Sequence, residues 1–213
     1  MTIKTNSNEI LRYLGVNGIP SKEISKQIEI LTKELQDKLS PKHVTGRYAC
    51  TISNDTVSLN GIEIKSSSLA KHLNDCNEVV ILSATLGIVA DNLLRRYSVT
   101  DIAKAAMIQA ICAAMIEDYC DFIQQEVENQ LLNENLFLTS RFSPGYSDFS
   151  IVHQKDILSM LQCNKKIGLT ISDSYMLSPT KSVTAIMGIT KKRCEHHDKC
   201  SQCNQSNCAY KKL

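Results

Sequence analysis

The stretch Ile102 to Ile116 is apolar on almost every face of the helix it would form. A helix with no polar stripe must be covered all round, so this segment belongs inside a domain with other elements packed about it. Its many alanines let those elements approach closely. Thr100 is placed to cap its start, and the helical pattern runs on to about Asn133. The most apolar part, Ala105 to Ile116, contains Gln109 and is too short to cross a bilayer, so no membrane role is expected.

Elements able to surround such a helix are legible on both sides of it. Glu9 to Val16 reads as a short helix stopped near Asn17-Gly18. Ser21 opens a longer one to about Leu39, with Ile24, Ile28, Leu31 and Leu35 on one stripe. His43 to Ser53 reads as a strand. Thr56 to Leu59 and Ile62 to Lys65 make a hairpin about the favoured Asn60-Gly61 turn. Ser66 to Leu73 suits a serine-capped helix, Glu78 to Ser83 a strand buried on both faces, and Thr85 to Tyr97 a further helix. Past the long helix, Leu136 to Thr139 reads as a strand and Phe149 to Leu161 as a helix. Gly168 to Tyr175 and Val183 to Thr190 read as strands. Helices and strands mix without a regular βαβ rhythm. The expected fold is therefore α+β, a mostly antiparallel mixed sheet flanked by helices around one long buried central helix.

A chain of 213 residues makes one large domain or two small ones and needs no covalent staples. Its net charge of +2 argues against a nucleic-acid partner. The charge is uneven: from Lys181 onward seven Lys or Arg face two acids. The polar start, Met1 to Asn8, lacks the apolar run of a secretion signal, so a cytoplasmic location is expected. In that compartment the nine cysteines point to packing or metal rather than to disulfides. Cys50, Cys76, Cys112, Cys120 and Cys163 lie in apolar surroundings and read as packing residues.

The densest chemistry lies in Arg141-Phe142-Ser143-Pro144-Gly145-Tyr146. Pro144 followed by Gly145 suits a type II turn, with Gly145 supplying the positive φ. Such a turn opens backbone N–H groups toward a ligand. A guanidinium grips a carboxylate or phosphate with two donors, and Tyr146 adds a flat face and a hydroxyl. Taken alone, the six residues also describe a surface turn with a solvated Arg and a packed Tyr. About twenty-five residues on, two β-rich runs between Ile167 and Ile189 flank the connection Ser178-Pro179-Thr180-Lys181-Ser182.

Together with the long helix before it, this order resembles the activation domain of cobalamin-dependent methionine synthase, best from about Thr100 to Ile189. The resemblance implies binding of S-adenosylmethionine and reductive remethylation of an oxidised corrinoid. It implies contacts to the cofactor from Arg141, Ser143, Gly145 and Tyr146, and from an acid on the long helix that matches Glu117. Asp118 and Asp121 lie close, and a one-turn slip would change that match. The turn departs from the family's usual Pro-Ala-Cys-Pro-Asp continuation, reading Ser147-Asp148-Phe149-Ser150 instead. An Asp that the long synthases use near the start of this domain has no match here. The chain also lacks an Asp-x-His-x-x-Gly corrinoid motif. The expected protein is thus a free-standing activation module for a separate methionine synthase or related corrinoid protein. That partner carries the cobalamin, and a donor such as a flavodoxin or ferredoxin supplies the electron. His153 is expected to be structural or solvent-facing, because methyl transfer from a sulfonium to cobalt(I) moves no proton.

Residues 1–190 make up the activation-like domain, and 191–213 a cysteine-rich tail. Cys194, Cys200, Cys203 and Cys208 are spaced Cys-x5-Cys-x2-Cys-x4-Cys, a donor set for zinc or for an iron–sulfur cluster. The spacing does not separate the two metals. It motivates the alternative reading of a metal-binding electron-relay or interaction module for another corrinoid protein.

Overall fold

The computed structural model describes residues 3, 5–16 and 19–192. Among these, α1 (Ser7–Tyr13) and α2 (Lys22–Lys38) lead into β1 (Lys42–Ser53), β2 (Thr56–Leu59), β3 (Ile62–Lys65), α3 (Ser67–His72), β4 (Glu78–Thr85), α4 (Ile88–Thr100) and α5 (Ile102–Leu132). After β5 (Phe137–Leu138) come a single 3-10 turn (Ile151–His153), α6 (Gln154–Leu161), α7 (Cys163–Ile167), β6 (Thr170–Ile171), β7 (Leu177–Ser178) and β8 (Ser182–Thr190). Six strands form an antiparallel sheet in the order β3-β2-β1-β4-β8-β5, and β6 pairs with β7 apart from it. This is the expected α+β architecture.

The centre of the sheet is the β4–β8 pair, in register from Glu78 opposite Ile189 to Thr85 opposite Ser182. Strand side chains alternate between faces, and here each face has its own core. Val80, Leu82, Ala84, Met187 and Ile189 pack with α1, α2, α4 and α5. Val79, Ile81 and Ile186 pack with Phe149, α6, α7 and the β2–β3 hairpin. β4 is thus buried on both sides, as its unbroken apolar run predicts. α5 lies in the first core, with Ile108, Ile111, Cys112, Met115, Tyr119, Cys120 and Ile123 buried. The five described cysteines are free thiols and all buried, which is the packing role expected of them.

Local chemistry explains most element ends. Ser21 and Ser66 accept from Ile24 N–H and Leu69 N–H, capping α2 and α3. Asn60 and Gly61 both take positive φ, the requirement of the tight hairpin turn. Three expectations need correction. The helix foreseen from Thr85 starts at Ile88, because Thr85 is still in the sheet, paired with both Lys42 and Ser182. The cap of α5 is Asp101, whose carboxylate accepts from Lys104 N–H, while the Thr100 hydroxyl donates back to the Arg96 carbonyl as α4 ends. The strand foreseen over 168–175 shrinks to two residues, since Gly168 ends α7 in a left-handed conformation and Ser172 begins a turn closed by Tyr175 N–H.

Gly188 on β8 shows how tight the packing is between sheet and α3. A Cβ there would lie 2.5 Å from Cys76 Sγ and 3.0 Å from Leu73 Cδ2. Gly188→Ala is therefore expected to destabilise the fold by about 1–3 kcal/mol, the usual cost of overpacking. Thermal unfolding checks this. Adding Cys76→Ala should recover part of the loss, because it removes the sulfur that the new methyl meets.

Candidate functional site

The segment carrying the charged turn is positioned by β8. Phe142 N–H donates to the Ile186 carbonyl at 2.9 Å, and Ile186 N–H donates back to Phe142 at 2.9 Å. Thr139 exchanges bonds with Gly188, its N–H donating at 2.9 Å and its Oγ1 accepting from Gly188 N–H at 2.8 Å. The extended backbone sends successive side chains to opposite faces. Phe142 goes to the second core, against Phe149 and His72. Arg141 goes the other way, onto α5.

There the Arg141 side chain is 17% exposed and its terminal nitrogens meet one face of the helix. Nη2 lies 3.2 Å from Glu117 Oε2 and 2.7 Å from Asp121 Oδ1, and Nη1 donates to Gln124 Oε1 at 3.1 Å. Positions 117, 121 and 124 follow the i, i+4, i+7 spacing that shares one face. Buried Cys120 lies beside the cluster, its thiol pushed up to about 12 by that burial. Asp118 points elsewhere: it accepts from Asn6 N–H at 3.2 Å, at the start of α1. Burial, ahead of its acidic neighbours, raises the Asp118 carboxyl above its ordinary value. Glu117 and Asp121 face Arg141, and Asp118 holds α1.

The turn itself has the expected form. Gly145 has φ +93°, and Tyr146 N–H donates to the Ser143 carbonyl at 3.2 Å, closing a type II turn. The expectation that its backbone donors open to a ligand is corrected. Gly145 N–H donates to the Phe149 carbonyl at 2.7 Å, so this donor and that of Tyr146 are spent inside the loop. The turn presents the Tyr146 ring, which is 57% exposed, and the partly exposed Ser143. Arg141 and Glu117 are in direct contact, while Ser143, Gly145 and Tyr146 follow Arg141 in the same loop.

Two anchors of this loop gave little signal in the sequence. The Asp148 carboxylate accepts from the Ser66 hydroxyl at 2.6 Å, from Ser67 N–H at 2.8 Å and hydroxyl at 2.7 Å, and from Ser68 N–H at 3.2 Å. These donors, Ser66 first, hold its carboxyl far below the usual carboxylate range. Asp148 lies where the sequence departs from the family's usual turn, and the serine run Ser66 to Ser68 is the other half of the signal. His72 Nε2 lies 2.8 Å from the Ser140 carbonyl and 3.0 Å from Thr139 Oγ1, with its ring 5.0 Å from that of Phe142. His153 is bonded to Asp156 at 2.8 Å and stacked on Phe149.

The Ser178 to Ser182 connection meets an earlier part of α5. Asp91 accepts from Thr180 N–H and hydroxyl, and the buried Lys181 ammonium lies 3.4 Å from the Gln109 carbonyl. Gln109 is eight residues before Glu117, about 12 Å along the helix. The two halves of the motif therefore address different parts of α5. Two clefts lie elsewhere, of about 620 Å³ beside Asn54 and Lys71 and about 550 Å³ between α1 and α2. None of the candidate residues lines either one, and neither gathers a guanidinium and carboxylates as Arg141, Glu117 and Asp121 do. Cys194, Cys200, Cys203 and Cys208 fall outside the described residues. Among the described residues no helix is long and apolar enough to cross a membrane, and no group of three metal-ligating side chains occurs.

The fold and this cluster define an α+β domain in which one long helix and a charged turn share a site. The chain belongs to the family described as vitamin B12 dependent methionine synthase, activation domain, which it matches over residues 62–210. Among solved structures it is similar to the MetH reactivation domain bound to AdoHcy, with a TM-score of 0.64 and 13% sequence identity. That similarity covers 92% of this chain and 78% of the other. No curated protein matches the chain.

Asp148 offers a test through pH. Its folded carboxyl titrates below the unfolded value of about 3.9, so its contribution to stability is complete above that pH. The contribution is lost as pH falls toward the folded value. Asp148→Asn should therefore be less stable than the parent at neutral pH, and the two denaturation midpoints should converge on acidification below about pH 4.

Proposed function

We propose that this protein binds S-adenosylmethionine at the Arg141–Glu117 cluster and supports reductive remethylation of a corrinoid held by a separate methionine synthase. The observation that carries the reading is the partly buried guanidinium of Arg141, met on one helix face by Glu117 and Asp121. An amino-acid head needs a cation for its carboxylate and an anion for its ammonium, and this cluster contains both. Family membership and the AdoHcy carried by the structural relative support the same reading.

In this reading Arg141 takes the ligand carboxylate and Glu117 its ammonium, while Tyr146 and Ser143 border the rest of the molecule. S-adenosylmethionine, when bound, supplies an electrophilic methyl to the corrinoid after a one-electron reduction by a donor such as a flavodoxin or ferredoxin. The chain's own contribution is placement. It holds the head fixed so that the methyl faces the metal in line, and it keeps water away from that approach. The rigidity for this comes from β8 and α5, on which Phe142 and Arg141 are fastened.

Titration calorimetry with S-adenosylmethionine tests the proposal, and saturable binding to the parent protein is expected. Arg141→Ala should weaken it by roughly ten- to a hundredfold, the value of a charge-assisted hydrogen bond. No binding at millimolar ligand, even with the synthase present, would contradict the proposal.

A further inference from the structure

We infer that Asp121 is a place-holder for the ligand, reserving Arg141 for zwitterionic heads and so deciding which carboxylates the site admits; this rests on the ligand-site reading above. One guanidinium nitrogen serves two carboxylates, and the shorter contact, 2.7 Å against 3.2 Å, belongs to Asp121. Asp121 is also the more exposed of the two, at 69% against 48%. Asp121 is therefore the partner an entering carboxylate displaces most readily.

The charge balance then sets a condition. Arg141 carries one positive charge, and Glu117 and Asp121 carry two negative charges. A bare carboxylate that captures Arg141 leaves both side-chain carboxylates without a counterion and adds a third anion beside them. A zwitterion replaces what it removes: its carboxylate goes to the guanidinium and its ammonium to Glu117, while the more exposed Asp121 turns to solvent. The swap is mild because Asp121 is itself 69% exposed, and an ion pair open to solvent on one side is weak. Gln124 holds Nη1 at 3.1 Å from the side, which keeps the guanidinium oriented through the exchange. Asp118 takes no part, being bonded to the start of α1.

Asp121→Asn keeps the shape and removes the charge. S-adenosylhomocysteine is the suitable probe, because its neutral thioether leaves the head as the group being read. The variant is expected to bind it about two- to fivefold tighter than the parent, the span of one exposed ion pair. Methylthioadenosine, which lacks the head, should bind both proteins alike. A desamino analogue bearing only the carboxylate should gain more from the substitution than S-adenosylhomocysteine does. Asp121→Ser must act in the same direction, which separates loss of charge from any local effect of asparagine. Unchanged or weaker S-adenosylhomocysteine binding by the variants would overturn the inference, the weaker result marking Asp121 as the ammonium's own partner. Failure of the parent to bind, or binding indifferent to Arg141→Ala, would instead take down the site reading and this inference with it.

Discussion

The packing of α5 against the β4–β8 pair is the constraint on which the rest of the molecule depends. Val80, Leu82, Ala84, Met187 and Ile189 share one core with the buried residues of α5. A fully buried aliphatic side chain contributes about 1.5–3 kcal/mol, well above the ~0–1 kcal/mol of an exposed ion pair. Apolar contact therefore fixes where the helix lies, and the charges arrange themselves on what it leaves exposed. Once α5 is seated, its polar residues at 117, 121 and 124 face the strand edge from which Arg141 emerges. The same sheet fastens Phe142 to Ile186, so both partners of the cluster are set by one piece of packing.

This division of labour suits a site that must be exact in place and easy to exchange. The apolar frame gives the guanidinium a fixed position, with its stem buried and its donors at the rim. In the proposed site the contacts of Arg141 to Glu117 and Asp121 are the ones a ligand would replace. The loop behind the turn is tied down independently, by Asp148 on the serines at the start of α3 and by His72 on Ser140. Its usual family sequence is absent here, and hydrogen bonds to α3 hold the loop in place.

Much of the fold was legible because its signals are local. Asn60-Gly61 demands the hairpin, Ser21 and Ser66 satisfy helix-start donors, and the run from Ile102 to Ile116 requires burial whatever surrounds it. The failures were at junctions, some decided by distant partners and some by a neighbour a few residues away. Thr85 could not be placed in the sheet without Lys42 and Ser182 beside it. Phe149 looked helical, yet its N–H closes the loop onto Tyr146 and the helical turns begin only at Ile151. The site was legible in part for the same reason. The Pro144-Gly145 turn follows from two adjacent residues, whereas the contacts of Arg141 to Glu117 and Asp121 span 24 and 20 residues and depend on how α5 is rotated. The spent donors of the turn were invisible until the Phe149 carbonyl was in view.

The most direct test of the central claim is a crystal structure of the protein with S-adenosylhomocysteine. The account predicts the ligand carboxylate within hydrogen-bond distance of the Arg141 guanidinium and the ammonium against Glu117, with Phe142 still bridged to Ile186. A ligand bound elsewhere, over an Arg141 still paired to Glu117 and Asp121, would contradict it.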